Sequence, residues 1–67
     1  MIRAGNQVRI RDTAETASAW PYAGRRGGVK EVVFGNFGTI FLVVLDGDRT
    51  ATAFNERDLL RRYDRKI

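Results

Sequence analysis

The stretch from Tyr22 to Val32, YAGRRGGVKEV, places three glycines and three cations directly before a β-branched run. Glycine adopts positive φ without steric cost and often marks a bulge in a strand. We therefore interpret Gly24, Gly27 and Gly28 as the turn and bulge that lead into a strand over Val29–Phe34. A phosphate-binding P-loop, the other interpretation, needs a Gly-Lys-Ser/Thr ending that the chain lacks.

Two further strands are predicted on either side of this stretch. In the segment Gln7–Arg11, apolar and charged side chains alternate from Val8 to Arg11. This period of two residues is typical of a strand with one buried and one solvent-exposed face. Residues Thr39–Leu45 are apolar on both parities, as in a central strand or one whose outer face meets a partner. Within the strand between them, the apolar residues change parity between Val29 and Val32, which predicts a bulge there.

The carboxy-terminal half predicts two more strands. Asp46–Asp48 has the composition of a tight hairpin turn, after which Arg49–Phe54 returns as a strand. Asn55–Asp58 combines a capping residue with an acid three places on, which favours one 3₁₀ turn before a last strand over Leu59–Tyr63. Five short strands in a small chain predict an all-β fold, closed or nearly closed into a barrel, with a long first loop over Asp12–Tyr22.

Length and composition limit the classes of protein. Sixty-seven residues predict a single domain over residues 1–67, with loose ends at residues 1–5 and 64–67. The chain has no cysteine and no histidine, so disulfides and thiolate or imidazole chemistry are excluded. It has no apolar signal region and no run of about 20 apolar residues that would span a membrane. We expect a soluble, cytoplasmic protein with no membrane partner.

The predicted order of strands, long loop and 3₁₀ turn resembles that of SH3-like barrels over about Gly5 to Tyr63. Two segments carry the resemblance: GNQVRIRDT with YAGRRGGVKEV, which is similar to a KOW motif, and VVLDGDRTATAFNERDLL, which is similar to the end of many such barrels. The plan also resembles the carboxy-terminal barrel of the nitrile hydratase β-subunit and small accessory subunits of photosynthetic complexes. The resemblance implies a small barrel that binds RNA or protein, and the fold alone does not choose between them.

Acidic side chains are scattered through the predicted turns and polar faces. No pair is placed by local spacing as a general acid and base would require. Asp46 and Asp48 flank a glycine, but the other ligand positions of a calcium loop are missing. We therefore expect no catalytic residues, no metal site, no cofactor and no enzymatic activity.

A net charge of +4 favours acidic partners, either nucleic acid or an acidic protein surface. If the first strand and the glycine-rich turn are neighbours, several cations lie together on one rim of the barrel. Arginine there can bind phosphate through paired hydrogen bonds, and aromatic rings can stack on bases. The predicted nucleic-acid site consists of Arg9, Arg11, Trp20, Tyr22, Arg25, Arg26 and Lys30.

The apolar strand Ile40–Leu45 supports an alternative function. Its side chains exceed what one face of a small barrel can bury, and an exposed apolar stripe usually marks an interface. The alternative is therefore a protein-docking or self-assembling adaptor, including a homodimer. The predicted interface consists of Phe37, Phe41, Val43 and Leu45.

Overall fold

A computed structural model describes residues 2–12, 19–36 and 38–62. These residues form five β-strands and two 3₁₀ turns, with no α-helix among them. The strands are β1 (Gln7–Ile10), β2 (Arg26–Gly35), β3 (Gly38–Leu45), β4 (Ala51–Asn55) and β5 (Leu59–Arg62). The first 3₁₀ turn is Trp20–Tyr22 and the second is Glu56–Asp58.

All five strands belong to one antiparallel sheet in the order β4-β3-β2-β1-β5. The predicted all-β class, the five strands and the single 3₁₀ turn before the last strand are confirmed. In the described part of the chain, β4 and β5 are the two edges of the sheet and do not pair with each other. The strand pairing therefore gives an open sheet and does not include the closure that a barrel requires.

The predicted bulge lies in β2. Val29 pairs with Val43, but the next pair is Glu31 with Leu42, so Lys30 is the extra residue. The parity change seen in the sequence is the result of this bulge, which allows Val29 and Val32 to face the same side. Both residues contact the hydrophobic core.

The three glycines of the opening stretch have three different environments. Only Gly24 has positive φ, at 82°. Gly27 and Gly28 lie inside β2, outside the bulge, so their predicted role there is wrong. A Cβ on Gly27 would come 2.5 Å from the Val44 carbonyl oxygen and 2.8 Å from the Leu45 Cα. Gly27 is therefore required because β3 approaches β2 too closely for any side chain.

The core lies on the inner face of the sheet. Inward residues of β1 (Val8 and Ile10) and β4 (Phe54) are at most 2% exposed. The predicted interface residues Phe41, Val43 and Leu45 are also buried, with 2%, 0% and 1% exposure, so they are not available to a partner. Phe37 lies outside the described residues. Strand β3 pairs with β2 and β4, and the residues that it presents to solvent are those of the other parity.

The amino-terminal segment packs against the sheet. Ile2 is buried in the core cluster. The Gly5 amide donates to the Val29 carbonyl at 2.8 Å, and the Val29 amide donates to the Asn6 carbonyl at 2.9 Å. These bonds extend the pairing of β1 with β2 to Gly5 and Val29, and Gly5 belongs to the segment for which a loose end was expected. Residues 64–67 lie outside the described part of the chain.

Candidate nucleic-acid interface

Two arginines face each other across neighbouring strands. Arg9 of β1 lies directly opposite Arg26 of β2, on the outer face of the sheet. Directly opposed side chains in an antiparallel pair have Cβ atoms roughly 5 Å apart, and like charges at that position destabilise the pair. Arg26 is exposed and the Arg9 side chain is 42% exposed. The arrangement is unfavourable for folding alone and favourable for holding an anion between two guanidinium groups.

Asp12 offsets part of this repulsion. The Arg9 Nη2 atom donates to the Asp12 Oδ1 and Oδ2 atoms at 3.3 and 3.4 Å. The pair is exposed on both sides, so its contribution to stability is small. A Cβ on Gly24 would come 2.9 Å from Asp12 Oδ1, so the bare glycine backbone leaves the space that this carboxylate occupies.

Trp20 is the most conspicuous aromatic residue at this end of the sheet. It begins the first 3₁₀ turn and is 70% exposed, although its neighbour Ala19 is completely buried. The turn is tied to the end of β1 because the Gly24 amide donates to the Ile10 carbonyl at 2.9 Å and the Ile10 amide donates to the Arg25 carbonyl at 2.8 Å. An anchored backbone thus presents an indole ring that the fold itself does not bury.

Arg11 lies just beyond β1 and is exposed. Its amide donates to the Asp58 carbonyl at 2.8 Å, which fixes the backbone at this position. It continues the outward alternation that begins with Arg9. We refer to Arg9, Arg11 and Arg26 together as the arginine face.

Arg25 is engaged in the fold. Its Nη2 atom donates to the Asp48 carboxylate and to the Asp46 carbonyl, both at 3.2 Å, which ties the start of β2 to the β3–β4 turn. Its guanidinium also lies 5.7 Å from the ring centroid of Tyr22. Arg25 was expected to be available for phosphate, but these contacts give it a structural role.

Tyr22 is partly buried and packs against the core. Its ring meets that of Phe54 edge-on, with centroids 5.8 Å apart and an interplanar angle of 88°. Because Tyr22 contacts both Phe54 and Arg25, its ring is already engaged within the fold, which leaves less of it for stacking on a base.

Lys30 lies apart from the arginine face. It occupies the bulge of β2, four residues beyond Arg26, which corresponds to roughly 13 Å along a strand. It lines a groove with residues of the amino-terminal segment instead. Of the predicted nucleic-acid site, the fold therefore places Arg9, Arg11, Arg26 and Trp20 at one end of the sheet, assigns Arg25 and Tyr22 to structural contacts, and separates Lys30.

Sequence reasoning predicted an exposed apolar stripe on this strand but did not identify the residues that form it on the outer face. Pairing places Val33 opposite Ile40, and Val44 opposite Ala51, on the side of the sheet away from the core. These side chains are half-buried or exposed, with Val33 at 42%. We call the set the outer apolar patch; its members are Val33, Ile40, Leu42, Val44, Ala51 and Ala53.

Within residues 2–12, 19–36 and 38–62, no three acidic, histidine or cysteine side chains are grouped so that they could hold a metal ion. No helix in those ranges is long and apolar enough to cross a membrane. Comparisons with protein-family models, with curated proteins and with solved structures gave no match to the chain.

Proposed function

We propose that the protein is a non-enzymatic, SH3-like interaction module that binds single-stranded nucleic acid, RNA or DNA, through the arginine face and Trp20. The order of strands along the chain and the 3₁₀ turn between β4 and β5 support the SH3-like assignment. This turn joins β4 and β5, which are the two edges of the sheet in the described part of the chain, so the proposed barrel would close where these two strands meet.

The like-charge pair of Arg9 and Arg26 carries the proposal. A phosphate between the two guanidinium groups replaces their repulsion by charge-assisted hydrogen bonds. Arg11 adds a third cation on the same side of β1. Binding therefore stabilises a part of the sheet whose charges oppose folding when it is empty.

The exposed indole of Trp20 favours a single strand over a duplex. Stacking on an aromatic side chain requires a base whose face is free, and bases in single strands meet this requirement. Trp20 is the only tryptophan in the chain, so intrinsic fluorescence reports directly on its contact with a base.

The function is tested by titrating the protein with 12-nucleotide single strands of RNA and DNA and with a duplex of the same sequence, at low and moderate salt. Labelled-strand anisotropy gives the affinity, and tryptophan fluorescence gives the stacking. We expect saturable binding of the single strands with quenching of Trp20, and weaker binding of the duplex. Absence of binding at low salt contradicts the proposal, as does saturable binding without a change in tryptophan fluorescence.

Replacing Trp20 with alanine is expected to weaken nucleic-acid binding without changing the stability of the fold. Because the side chain is 70% exposed, we expect the free energy of unfolding to change by less than about 0.5 kcal/mol. Loss of one base–aromatic stack, worth about 1–3 kcal/mol, lowers affinity roughly tenfold or more. Denaturant unfolding and anisotropy measure the two quantities. Trp20→Phe serves as the control and is expected to keep most of the affinity; equal losses in both variants would argue against stacking.

The outer apolar patch favours a second function, that of a self-assembling or protein-docking adaptor. The patch follows β3 between β2 and β4 and consists of aliphatic side chains on three adjacent strands. Contiguous exposed apolar surface is typical of interfaces. The alternative therefore concerns Ile40, Leu42 and Val44 rather than the buried residues of the same strand.

Leu42→Lys tests this alternative. Leu42 lies opposite Glu31, so a lysine there gains a cross-strand partner and the sheet remains stable. If the patch joins two copies, sedimentation velocity shows a concentration-dependent dimer for the unaltered protein and a monomer for the variant. Leu60→Glu is the control: this leucine on β5 is 42% exposed and lies opposite Arg9, so the new side chain also gains an oppositely charged partner, and the dimer remains intact. A monomer at every concentration of the unaltered protein rules out self-assembly.

A further inference from the structure

The outer half of β2 has one open edge. β1 pairs with β2 only at Arg26, Gly27 and Gly28, and the bonds from Gly5 and Asn6 end at Val29. From Glu31 to Gly35, β2 pairs with β3 on one side. Among the described residues, none forms backbone hydrogen bonds along its other side. Within the described part of the chain, this stretch of five residues, about 17 Å, therefore has an edge without backbone partners.

A groove runs along the inner face beside this edge. Its volume is about 510 Å³, and its apolar surface comes from Ile2, Ala4, Val32 and Phe34. Phe34 is 73% exposed, so the aromatic ring contributes little to the core and most of its surface is open to contact. An apolar groove beside an unpaired edge combines the two features by which sheets bind extended segments.

The charged residues around the groove carry a net positive charge. Arg3 and Lys30 contribute two cations, and Glu31 contributes one anion. The net positive charge favours an occupant with acidic side chains on either side of an apolar one.

We propose that this edge binds an extended, acidic segment of a partner protein, which adds to the sheet as a strand beside Glu31–Gly35. Its backbone pairs with the open edge, one apolar side chain enters the groove against Phe34, and its carboxylates lie near Arg3 and Lys30. The inference does not depend on nucleic-acid binding, because it uses other residues at another place on the sheet.

The chemistry of the edge selects a polypeptide. Unpaired strand groups offer amide donors and carbonyl acceptors in alternation, and a second peptide backbone has the matching order. A nucleic acid lacks this pattern, and the apolar part of the groove surface does not suit phosphate. The same edge would take a segment of about five residues, since a longer strand exceeds the open part of β2.

The probe is a pair of capped hexapeptides, one alternating glutamate with valine and the other alternating lysine with valine. Amide chemical shifts of the ¹⁵N-labelled full chain are followed during titration. We expect saturable shifts at Glu31–Gly35, and an affinity for the acidic peptide about tenfold above that for the basic one, as two exposed ion pairs allow. No saturable shift with the acidic peptide, equal affinity for both, or shifts only at the arginine face would overturn the proposal.

Two changes test the mode of binding. An acidic peptide that is N-methylated at every amide keeps its side chains but has no amide donor on either edge, so its binding should be lost; retained binding would overturn strand addition. The double variant Arg3→Glu, Lys30→Glu should reverse the preference between the two peptides. Arg9→Glu, Arg26→Glu makes the same change in net charge elsewhere and is the control, in which the acidic peptide should still bind more tightly. Loss of the preference in the control would show that overall charge, and not the groove, is responsible.

Discussion

Replacing Gly27 with alanine is expected to unfold the protein or leave it marginally stable. The new Cβ would lie 2.5 Å from the Val44 carbonyl oxygen and 2.8 Å from the Leu45 Cα. Both are backbone atoms of β3, so no side-chain rotation relieves the clash, and β2 and β3 must separate where they are paired. Overpacking of this kind costs about 3 kcal/mol or more. A domain of this size has a total stability of roughly 3–10 kcal/mol.

Gly28 provides the matched control in the next position. A Cβ there would have Gln7 Nε2 as its nearest neighbour, at 3.6 Å, which is ordinary contact with a flexible side chain. Since alanine is favoured over glycine inside a strand by about 0.5–1 kcal/mol, Gly28→Ala should be neutral or slightly stabilising. Chemical denaturation of both variants measures the difference. Equal stability of the two variants would mean that β2 and β3 are not as closely packed as described.

Replacing Arg26 with glutamate is expected to weaken nucleic-acid binding while stabilising the fold. Binding falls because one phosphate contact is lost and a repulsive charge takes its place; about 2 kcal/mol, or roughly thirtyfold, is expected for a charge-assisted contact. Stability rises by about 0.5 kcal/mol, because Arg9 then lies opposite an acid instead of another arginine. Anisotropy and thermal unfolding measure the two effects on the same sample.

Lys30→Glu is the control for Arg26→Glu, since it changes net charge equally at the bulge, away from the arginine face. We expect it to lower affinity for the single strand by less than about threefold, through overall charge alone. If both variants lose the same affinity, binding depends on net charge and no particular site is involved. A drop in stability for Arg26→Glu would contradict the like-charge pair.

Much of the sheet was predictable because its signals are local. Alternation in Gln7–Arg11 predicts β1, and the change of parity between Val29 and Val32 predicts the bulge. The turn before β5 follows from residues within four positions of one another. Even there, a detail differs: the Asn55 side chain forms no capping hydrogen bond.

The face that β3 buries was not predictable from β3 itself. Thr39–Leu45 is apolar on both parities, so the period of two that normally identifies the inner face gives no answer. Pairing decides it: Phe41 lies opposite Phe54, and the two rings enter the core together. The large aromatic in an otherwise small-residue β4 was the available signal for the inward parity.

The roles of Arg25 and Ile2 depend on contacts distant in sequence. Arg25 binds Asp46 and Asp48, more than twenty residues away, so nothing near Arg25 distinguishes it from a free surface cation. Ile2 is too close to the chain start to show any period, and its burial follows from the bonds that Gly5 and Asn6 form with Val29. The open edge of β2 also emerges only from pairing, because β1 is four residues long and β2 is ten.

The two proposed surfaces predict opposite responses to two charge reversals. Arg9→Glu, Arg26→Glu should remove nucleic-acid binding and leave the peptide preference in place. Arg3→Glu, Lys30→Glu should reverse the peptide preference and leave most of the nucleic-acid affinity. Each variant is thus the control for the other, and failure of one proposal does not imply failure of the other.

The most direct test of the nucleic-acid proposal is the dependence of affinity on salt. For single strands, the logarithm of the binding constant falls with the logarithm of salt concentration by about 0.7 per phosphate contacted. Three cations of the arginine face predict a slope near −2, and the variant Arg9→Gln, Arg26→Gln predicts a slope near −0.7. Anisotropy titrations of both proteins at four salt concentrations give these slopes. Equal slopes for the two proteins would contradict phosphate binding at the arginine face.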